Sequence, residues 1–301
     1  AYRFETLFKD KPSLCYWPIE SISYDAFISS VSGERSAYND EQVASYIAEE
    51  EALIRDVIPD LIVSDARLSL SVTAPALGIP LVNLNNAYWS PHRADKQDPV
   101  PNYKRSALYR LLPPGLAELF FPFPVVKVLH RVMKPLYEKR FLAPFNRARR
   151  RRGLRPFGDF RTFYTFGNWT LYADTPELIP LKNPPAAHRF LGPVLWSPSS
   201  AAPLPAGDSD RPVLYVSFGS SNDVPDCRGI VDELARLEVD LWVATAGRFS
   251  VPASARVRVS DFLPGLEASR RAAVVVCSGG GTAAYQALAA GAPVVGIPSN
   301  N

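Results

Sequence analysis

The apolar and polar positions divide the chain into two runs of alternating strand and helix. In the first run, "LCYWPI" at 14–19 reads as a strand. It is followed by "NDEQVASYIAEEEALIRDV" at 39–57, where Val43, Ile47, Leu53, Ile54 and Val57 recur at helical spacing behind a capping Asn39 or Asp40. "DLIVSD" at 60–65 is a short buried strand, "LSLSVTAPALG" at 68–78 a helix ended by Gly78, and "PLVNL" at 80–84 the next strand. Strands joined by one short helix must run parallel, because the helix carries the chain back to the end it left.

From 99 to 163 that alternation lapses. "LLPPGLAELFFPFPVVKVLHRVMKPLYEKRFLAPFNRARRRRG" at 111–153 mixes aromatic, proline and basic residues, which predicts short helices on one edge of the domain. Arg147, Arg149, Arg150, Arg151 and Arg152 form its densest charge run. A solvated face is one reading of that run; the other is a peripheral membrane contact through 105–152, with the arginines on anionic headgroups.

Between 193 and 212, "PVLWSPSSAAPLPAGDSDRP" has no periodicity and the composition of a linker. The alternation then restarts. "VLYVSFG" (213–219), "LWVAT" (241–245), "VRV" (257–259), "AAVVVC" (272–277) and "PVVGIP" (293–298) read as strands. The helices between them are "CRGIVDELARL", with Ile230, Val231, Leu234 and Leu237 on one face, then "LEASRR" and "TAAYQALAA". The expected architecture is α/β: two Rossmann-like doubly wound parallel-sheet domains, 1–197 and 212–301, joined by a linker at 198–211 and facing a cleft. Ligands of such sheets lie at the carboxyl ends of the strands.

Composition narrows the classes. A chain of 301 residues, 47% apolar and 21% charged, can bury two cores, and its 29 prolines are nearly twice the roughly 5% of average usage, so broken elements should be plentiful. A net charge of +3 is too small to argue for nucleic acid. Cys15, Cys227 and Cys277 are odd in number and lack metal-ligand spacing, so neither a disulfide framework nor a zinc site is expected, and a cytoplasmic setting is. No apolar run approaches the ~20 residues of a membrane span. The chain opens without Met inside what reads as structured sequence, so flanking residues are expected to be missing.

The chemistry concentrates in "CSGGGTAAYQALAAGAPVVGIP" at 277–298. A helix N-terminus offers unpaired N–H groups and about half a positive charge, which suits a phosphate without any basic side chain. Gly279, Gly280 and Gly281 let the backbone come close, while Ser278 and Thr282 add hydroxyls. A tight turn that serves packing alone remains the competing reading. A nicotinamide fingerprint does not fit, because the run is GGGT late in a domain and no acid follows Glu267; a P-loop lacks its G-K-[ST].

"VRVSDFLPGLEASRRAAVVVCSGGGTAAYQALAAGAPVVGIPSN" resembles the donor-site segment of the UDP-glycosyltransferase superfamily, the inverting GT-B enzymes of glycosyltransferase family 1 that include bacterial macrolide and natural-product glycosyltransferases. "VLYVSFGSS", "PDLIVSDARLSLSVTAPALGIPLVNLNNAYWSP" and "TLYADTPEL" are similar to other parts of these enzymes. The resemblance implies that Gly280, Gly281 and Thr282 hold the donor diphosphate, with Ser278 where many members have a histidine. It implies that Gln286 stands for a glutamate on the ribose hydroxyls, that Phe262 and Leu263 receive the base, and that Ser220 is a donor-side hydroxyl. Gly265 departs from the family's glutamine after the proline.

The same resemblance implies a histidine base on a loop expected to precede Ala1, and a sugar-binding pair expected beyond Asn301. His92, His130 and His188 are outside that context and read as surface or packing residues. Asp65 matches the aspartate that orients and charge-stabilises the histidine in related plant enzymes; capping of the next helix is its other reading. Asn85, Asn86, Tyr88 and Trp89 are expected to line the acceptor side. The implied activity transfers a hexose from a UDP- or dTDP-sugar to a hydroxyl of an apolar small-molecule or lipid acceptor, with no metal and no cofactor beyond that co-substrate. A nucleotide-sugar epimerase on the same fold, or a nucleotide-sugar-binding protein without turnover, are the alternatives.

Overall fold

The computed structural model describes residues 13–23, 26, 38–95, 113, 116, 123–196, 203–205, 210–219, 224 and 226–297. They fall into two compact units, one built on Trp17–Gly192 and one on Pro193–Asn300.

The first unit contains α1 (Asp40–Val57), β1 (Ile62–Asp65), α2 (Leu70–Leu77), β2 (Leu81–Asn85), a one-turn 3-10 helix (Ala87–Trp89), α3 (Phe123–Arg151), α4 (Phe160–Tyr164), β3 (Trp169–Tyr172) and β4 (His188–Phe190). Its four strands are parallel in the order β1-β2-β3-β4. Asn39 starts α1 through a capping box with Gln42: the Asn39 side chain accepts from the Gln42 N–H at 2.8 Å, and the Gln42 side chain accepts from the Asn39 N–H at 3.2 Å. Val43 and Ile47 then pack with Val72 of α2, with Leu142 and Phe145 of α3 and with Phe163 of α4.

One α1 residue breaks the polar pattern. Glu50 is only 3% exposed, and its carboxylate accepts from Arg67 Nε at 2.6 Å and from the hydroxyls of Ser69 and Thr73. A buried carboxylate is tolerable only when so many donors replace its water. Here they tie α1 to the turn that opens α2.

Two expectations are corrected. Residues 14–19 are not a strand: they pair with no strand among the described residues, and Leu14, Tyr16, Trp17 and Ile19 are exposed. Without a neighbouring ladder an apolar run has no partner for its backbone, and the Glu20 N–H instead donates to the Glu49 carboxylate at 2.8 Å. Nor is the described part of the basic stretch a set of short helices, because 123–151 is one helix with Pro135 and Pro144 inside it; 99–112, 114–115 and 117–122 lie outside the described residues. Each proline removes one backbone bond at about 3 kcal/mol or more. Packing and charge pairing at the C-terminal end offset this: Phe145 and Leu142 are in the core, Arg147 pairs with Asp40 at 2.8 Å, Arg152 with Glu51 at 2.9 Å, and Arg149 donates to the Ser71 carbonyl.

The second unit contains β5 (Val213–Ser217), α5 (Cys227–Leu234), β6 (Asp240–Ala244), β7 (Val257–Ser260), α6 (Gly265–Arg271), β8 (Val274–Cys277), α7 (Gly281–Ala289) and β9 (Val294–Gly296). All pairings are parallel, in the order β7-β6-β5-β8-β9. Alternation along each strand divides the core between two faces. Leu214, Val216, Leu241 and Val243 pack with Val231 of α5; Tyr215, Trp242 and Val275 pack with Ala268 of α6 and Ala287 of α7. Because α5 stops at Leu234, Leu237 is exposed rather than on the buried face.

Replacing Glu50 by Ala strands Arg67 and the two hydroxyls, and should cost about 3–5 kcal/mol in equilibrium urea unfolding. Glu50→Gln keeps part of the hydrogen bonding and should cost less.

Candidate functional site

The strand order of the second sheet reverses between β5 and β8, so the loops leaving these neighbours diverge and open a crevice at their carboxyl ends. Ser217 and Cys277 are in register across that pair. Just beyond them Gly219 and Gly279 take φ values of +79° and +77°, a backbone that a side chain would strain. Gly280 is the N-cap of α7, extended at φ −63° and ψ 142°, and no side chain caps the helix.

The first intrahelical bond of α7 runs from the Ala284 N–H to the Gly280 carbonyl at 3.1 Å. The N–H groups of Gly281, Thr282 and Ala283 therefore come before it and find no partner among the described residues. Gly279, Gly280 and Thr282 are exposed, Ser278 and Gly281 half-buried, and the first turn carries no acidic side chain. Three open donors along one helix axis are arranged for an anion.

The remaining donor-side candidates are placed unequally. Ser220 lies outside the described residues. Phe262 is half-buried after β7, in a loop pinned by Ser260 Oγ, which donates to its carbonyl at 3.1 Å, and by Thr245 Oγ1, which donates to the Asp261 carboxylate at 2.8 Å. Leu263 is buried in the core with Tyr215, Trp242 and Ala268, so its side chain has a packing role. Gln286 is 7% exposed, and its Nε2 donates to the Trp196 carbonyl at 2.5 Å. Its Oε1 lies so near Gly265 that a Cβ there would be 2.1 Å away. The Nε2 of Gln286 is thus engaged inside the unit. The glycine that replaces the family's glutamine at 265 makes room for it.

In the first unit, Asp65 ends β1 opposite Leu84, and Ala66 after it has a positive φ of 55°. Ser69 is the N-cap of α2, so Asp65 is not the capping residue. Asp65 is exposed, and its carboxyl makes no hydrogen bond or ion pair among the described residues; partial desolvation at the strand end raises its pKa above the ordinary 3.8, an effect that solvent at this position keeps small. An unpaired carboxylate beside a strained turn can orient and charge-stabilise a cationic neighbour.

Asn85 ends β2, the next strand, and is occupied in holding the turn: its Nδ2 donates to the Tyr164 carbonyl at 2.8 Å, and its Oδ1 accepts from the Asn86 N–H at 2.9 Å. Asn86 is exposed. Trp89 stacks on Tyr164 with centroids 4.8 Å apart and 14° between planes, and the Arg93 guanidinium lies 4.5 Å from the Tyr88 ring centre. These aromatics form an apolar wall beside the strand ends.

Sequence reasoning missed a polar cluster at the same edge. Buried Asp174 accepts from the Ala87 N–H, fixing the 3-10 turn that carries Tyr88 and Trp89. The Tyr172 hydroxyl lies 2.8 Å from Ser90 Oγ and 2.7 Å from His188 Nδ1. Burial pushes Tyr172 up to about 12, and burial together with nearby His92 lowers the pKa of His188. His188 is thus a packing histidine, as its sequence context implied. Only the position of Tyr172 at a strand end could have signalled this cluster, since its partners are far apart in sequence.

No protein-family profile matches the chain. It is 40% identical over 292 residues to the "PGL/p-HBAD biosynthesis glycosyltransferase" of Mycobacterium tuberculosis (strain ATCC 25177 / H37Ra), covering 94% of this chain and 64% of that protein. It is 38% identical over 291 residues to the "PGL/p-HBAD biosynthesis rhamnosyltransferase" of Mycobacterium bovis (strain BCG / Pasteur 1173P2), covering 94% and 61%. The chain thus spans less than two thirds of the length of these curated relatives. Among solved structures, the glycotransferase of kitacinnamycin superposes with a TM-score of 0.61 at 18% identity, covering 91% of this chain and 66% of that one. Streptomyces sp. SF2575 glycosyltransferase SsfS6, complexed with thymidine diphosphate, gives 0.53 at 18% identity, covering 98% and 65%.

A carboxyl whose pKa is raised by folding stabilises the protein most when protonated, and that contribution is lost as pH rises through the folded-state value. Asp65→Asn should therefore raise the denaturation midpoint at pH 7. The gain should shrink as the pH is lowered towards and below 3.8, when measured by urea unfolding across pH.

Proposed function

We propose that this chain, glycosyltransferase-like in sequence and GT-B in fold, carries the sugar-transfer machinery of an inverting hexosyltransferase. Its donor is a UDP- or dTDP-sugar and its acceptor the hydroxyl of an apolar small molecule or lipid. The observation that carries this reading is the uncapped N-terminus of α7 at the strand-order reversal, with Gly279 and Gly280 clearing the approach. The relatives' names, a glycosyltransferase and a rhamnosyltransferase of PGL/p-HBAD biosynthesis, support sugar transfer. The thymidine diphosphate held by a protein of the same fold supports the nucleotide.

In the reaction so read, a base removes the acceptor hydroxyl proton, and the oxygen attacks the anomeric carbon from the face opposite the diphosphate. The bond from that carbon to the diphosphate oxygen breaks, and the nucleoside diphosphate leaves with the electron pair. Negative charge grows on the leaving group during this step. With the diphosphate on the α7 N-terminus, the open N–H groups of Gly281, Thr282 and Ala283 are assigned to that growing charge and stabilise the transition state more than the ground state. This role needs neither a metal nor a resident cofactor. Asp65 is assigned to positioning: it stabilises the protonated base. Trp89 and Tyr88 belong on the acceptor side, where an apolar ring or chain packs against them.

A nucleotide-sugar-binding protein without turnover is the second reading, favoured by the internal commitment of Gln286, which leaves the ribose with one fewer partner. Incubation of the intact protein with UDP- and dTDP-sugars and a panel of phenolic and lipid alcohols separates the two. Release of nucleoside diphosphate only when an acceptor is present supports transfer; tight donor binding without release supports the second reading.

Thr282→Glu tests the anion site without disturbing the fold. An acidic residue in the first turn of α7 complements the helix dipole, so the unfolding midpoint should hold or rise. The same charge opposes a diphosphate, and titration calorimetry should show UDP and dTDP affinity falling roughly tenfold or more, about 1.4 kcal/mol.

A further inference from the structure

The two halves of α3 face different surroundings. The C-terminal half is held by the core contacts of Leu142, Phe145 and Ala148 and by the pairs of Arg147 and Arg152. Along the N-terminal half, Val125, Val128, Leu129, Val132 and Leu136 are between 53% and 69% exposed. At 100° per residue they fall within an arc of roughly 100°, one continuous stripe about 17 Å long. Stripes of this kind normally face a core, and five such side chains in water are costly.

The flanks of the stripe are basic. Arg131 and Arg140 border it on its two sides and Lys139 follows it on the same face; all three are exposed, and the single acid of this half, Glu138, is half-buried with Lys134 Nζ at 3.5 Å. The arginine run at 147–152, in contrast, is partly spent within the fold. Arg147 and Arg152 are paired with α1, and Arg149 binds the Ser71 and Arg155 carbonyls. A basic border discourages a second copy of the same face, which would bring like charges together. It suits an anionic surface that also accepts apolar side chains, as the boundary between lipid headgroups and acyl chains does. No helix among the described residues is long and apolar enough to cross a membrane.

We infer that the N-terminal half of α3 is a docking surface for an anionic lipid bilayer, lying in the plane of the membrane with Val125, Val128, Leu129, Val132 and Leu136 inserted and Arg131, Lys139 and Arg140 on the headgroups. The inference is independent of the transferase reading, because it rests on α3 alone.

The test is sedimentation of the intact protein with vesicles of phosphatidylcholine alone and with vesicles containing 30% phosphatidylglycerol, at roughly 0.1 M and 0.5 M salt. Binding to the anionic vesicles should be at least tenfold stronger and should weaken at the higher salt. Val128→Asp with Val132→Asp should lower it tenfold or more without shifting the unfolding midpoint, since both side chains are exposed. Arg131→Gln, Lys139→Gln and Arg140→Gln together should abolish the preference for anionic lipid, whereas Leu178→Asp, at an exposed apolar site elsewhere, should change nothing. Absence of vesicle binding, equal binding to both compositions, or binding indifferent to the double substitution overturns the inference. So does a fall in oligomer size caused by that substitution, which would assign the face to a second copy.

Discussion

Parallel strand direction is the constraint from which the rest follows. It forces every strand of a sheet to deliver its carboxyl end to the same edge, so residues distant in sequence arrive side by side there. In the second unit this edge receives the glycine turn of β8 next to the turn of β5, at the place where the strand order reverses. In the first it gathers Asp65, Asn85 and Tyr172 from three consecutive strands, through the register of Asp65 with Leu84 and of Asn85 with Tyr172. The candidate chemistry of both units is a property of strand ends, and the helices serve to hold the strands in order.

Those helices are held by polar contacts as well as apolar ones. The Glu50 carboxylate joins α1 to the start of α2, and the arginines at the end of α3 reach back to α1 and to the Ser71 carbonyl. Removing one partner from such a set leaves the others desolvated and unpaired, which makes the loss larger than the value of any single bond. The same anchoring explains how α3 tolerates two internal prolines, and why its other half is free to present an apolar face.

Much of the fold was legible in the sequence because its strongest signals are local. The apolar runs of β5, β6 and β8, the capping box at Asn39, and Gly78 and Gly291 at helix ends each act over a few residues. Two of the errors arose where a local pattern depends on a remote partner. Residues 14–19 have strand composition but no ladder, and Pro135 and Pro144 look like helix breakers until the packing of Phe145 and Leu142 is known. The site divides in the same way. The glycine turn was readable as a turn, since it is made by backbone geometry alone. The inward commitments of Gln286 and Leu263 were not, because the Trp196 carbonyl and the core around Trp242 meet them only in the folded unit.

The most direct test of the anion site follows the amides themselves. In an NMR titration of the protein with UDP or dTDP, the backbone N–H signals of Gly281, Thr282 and Ala283 should move downfield in a saturable way, as three free donors acquire a phosphate. Saturable binding that leaves these three signals in place, with shifts only elsewhere, would contradict the assignment of the α7 N-terminus as the diphosphate site.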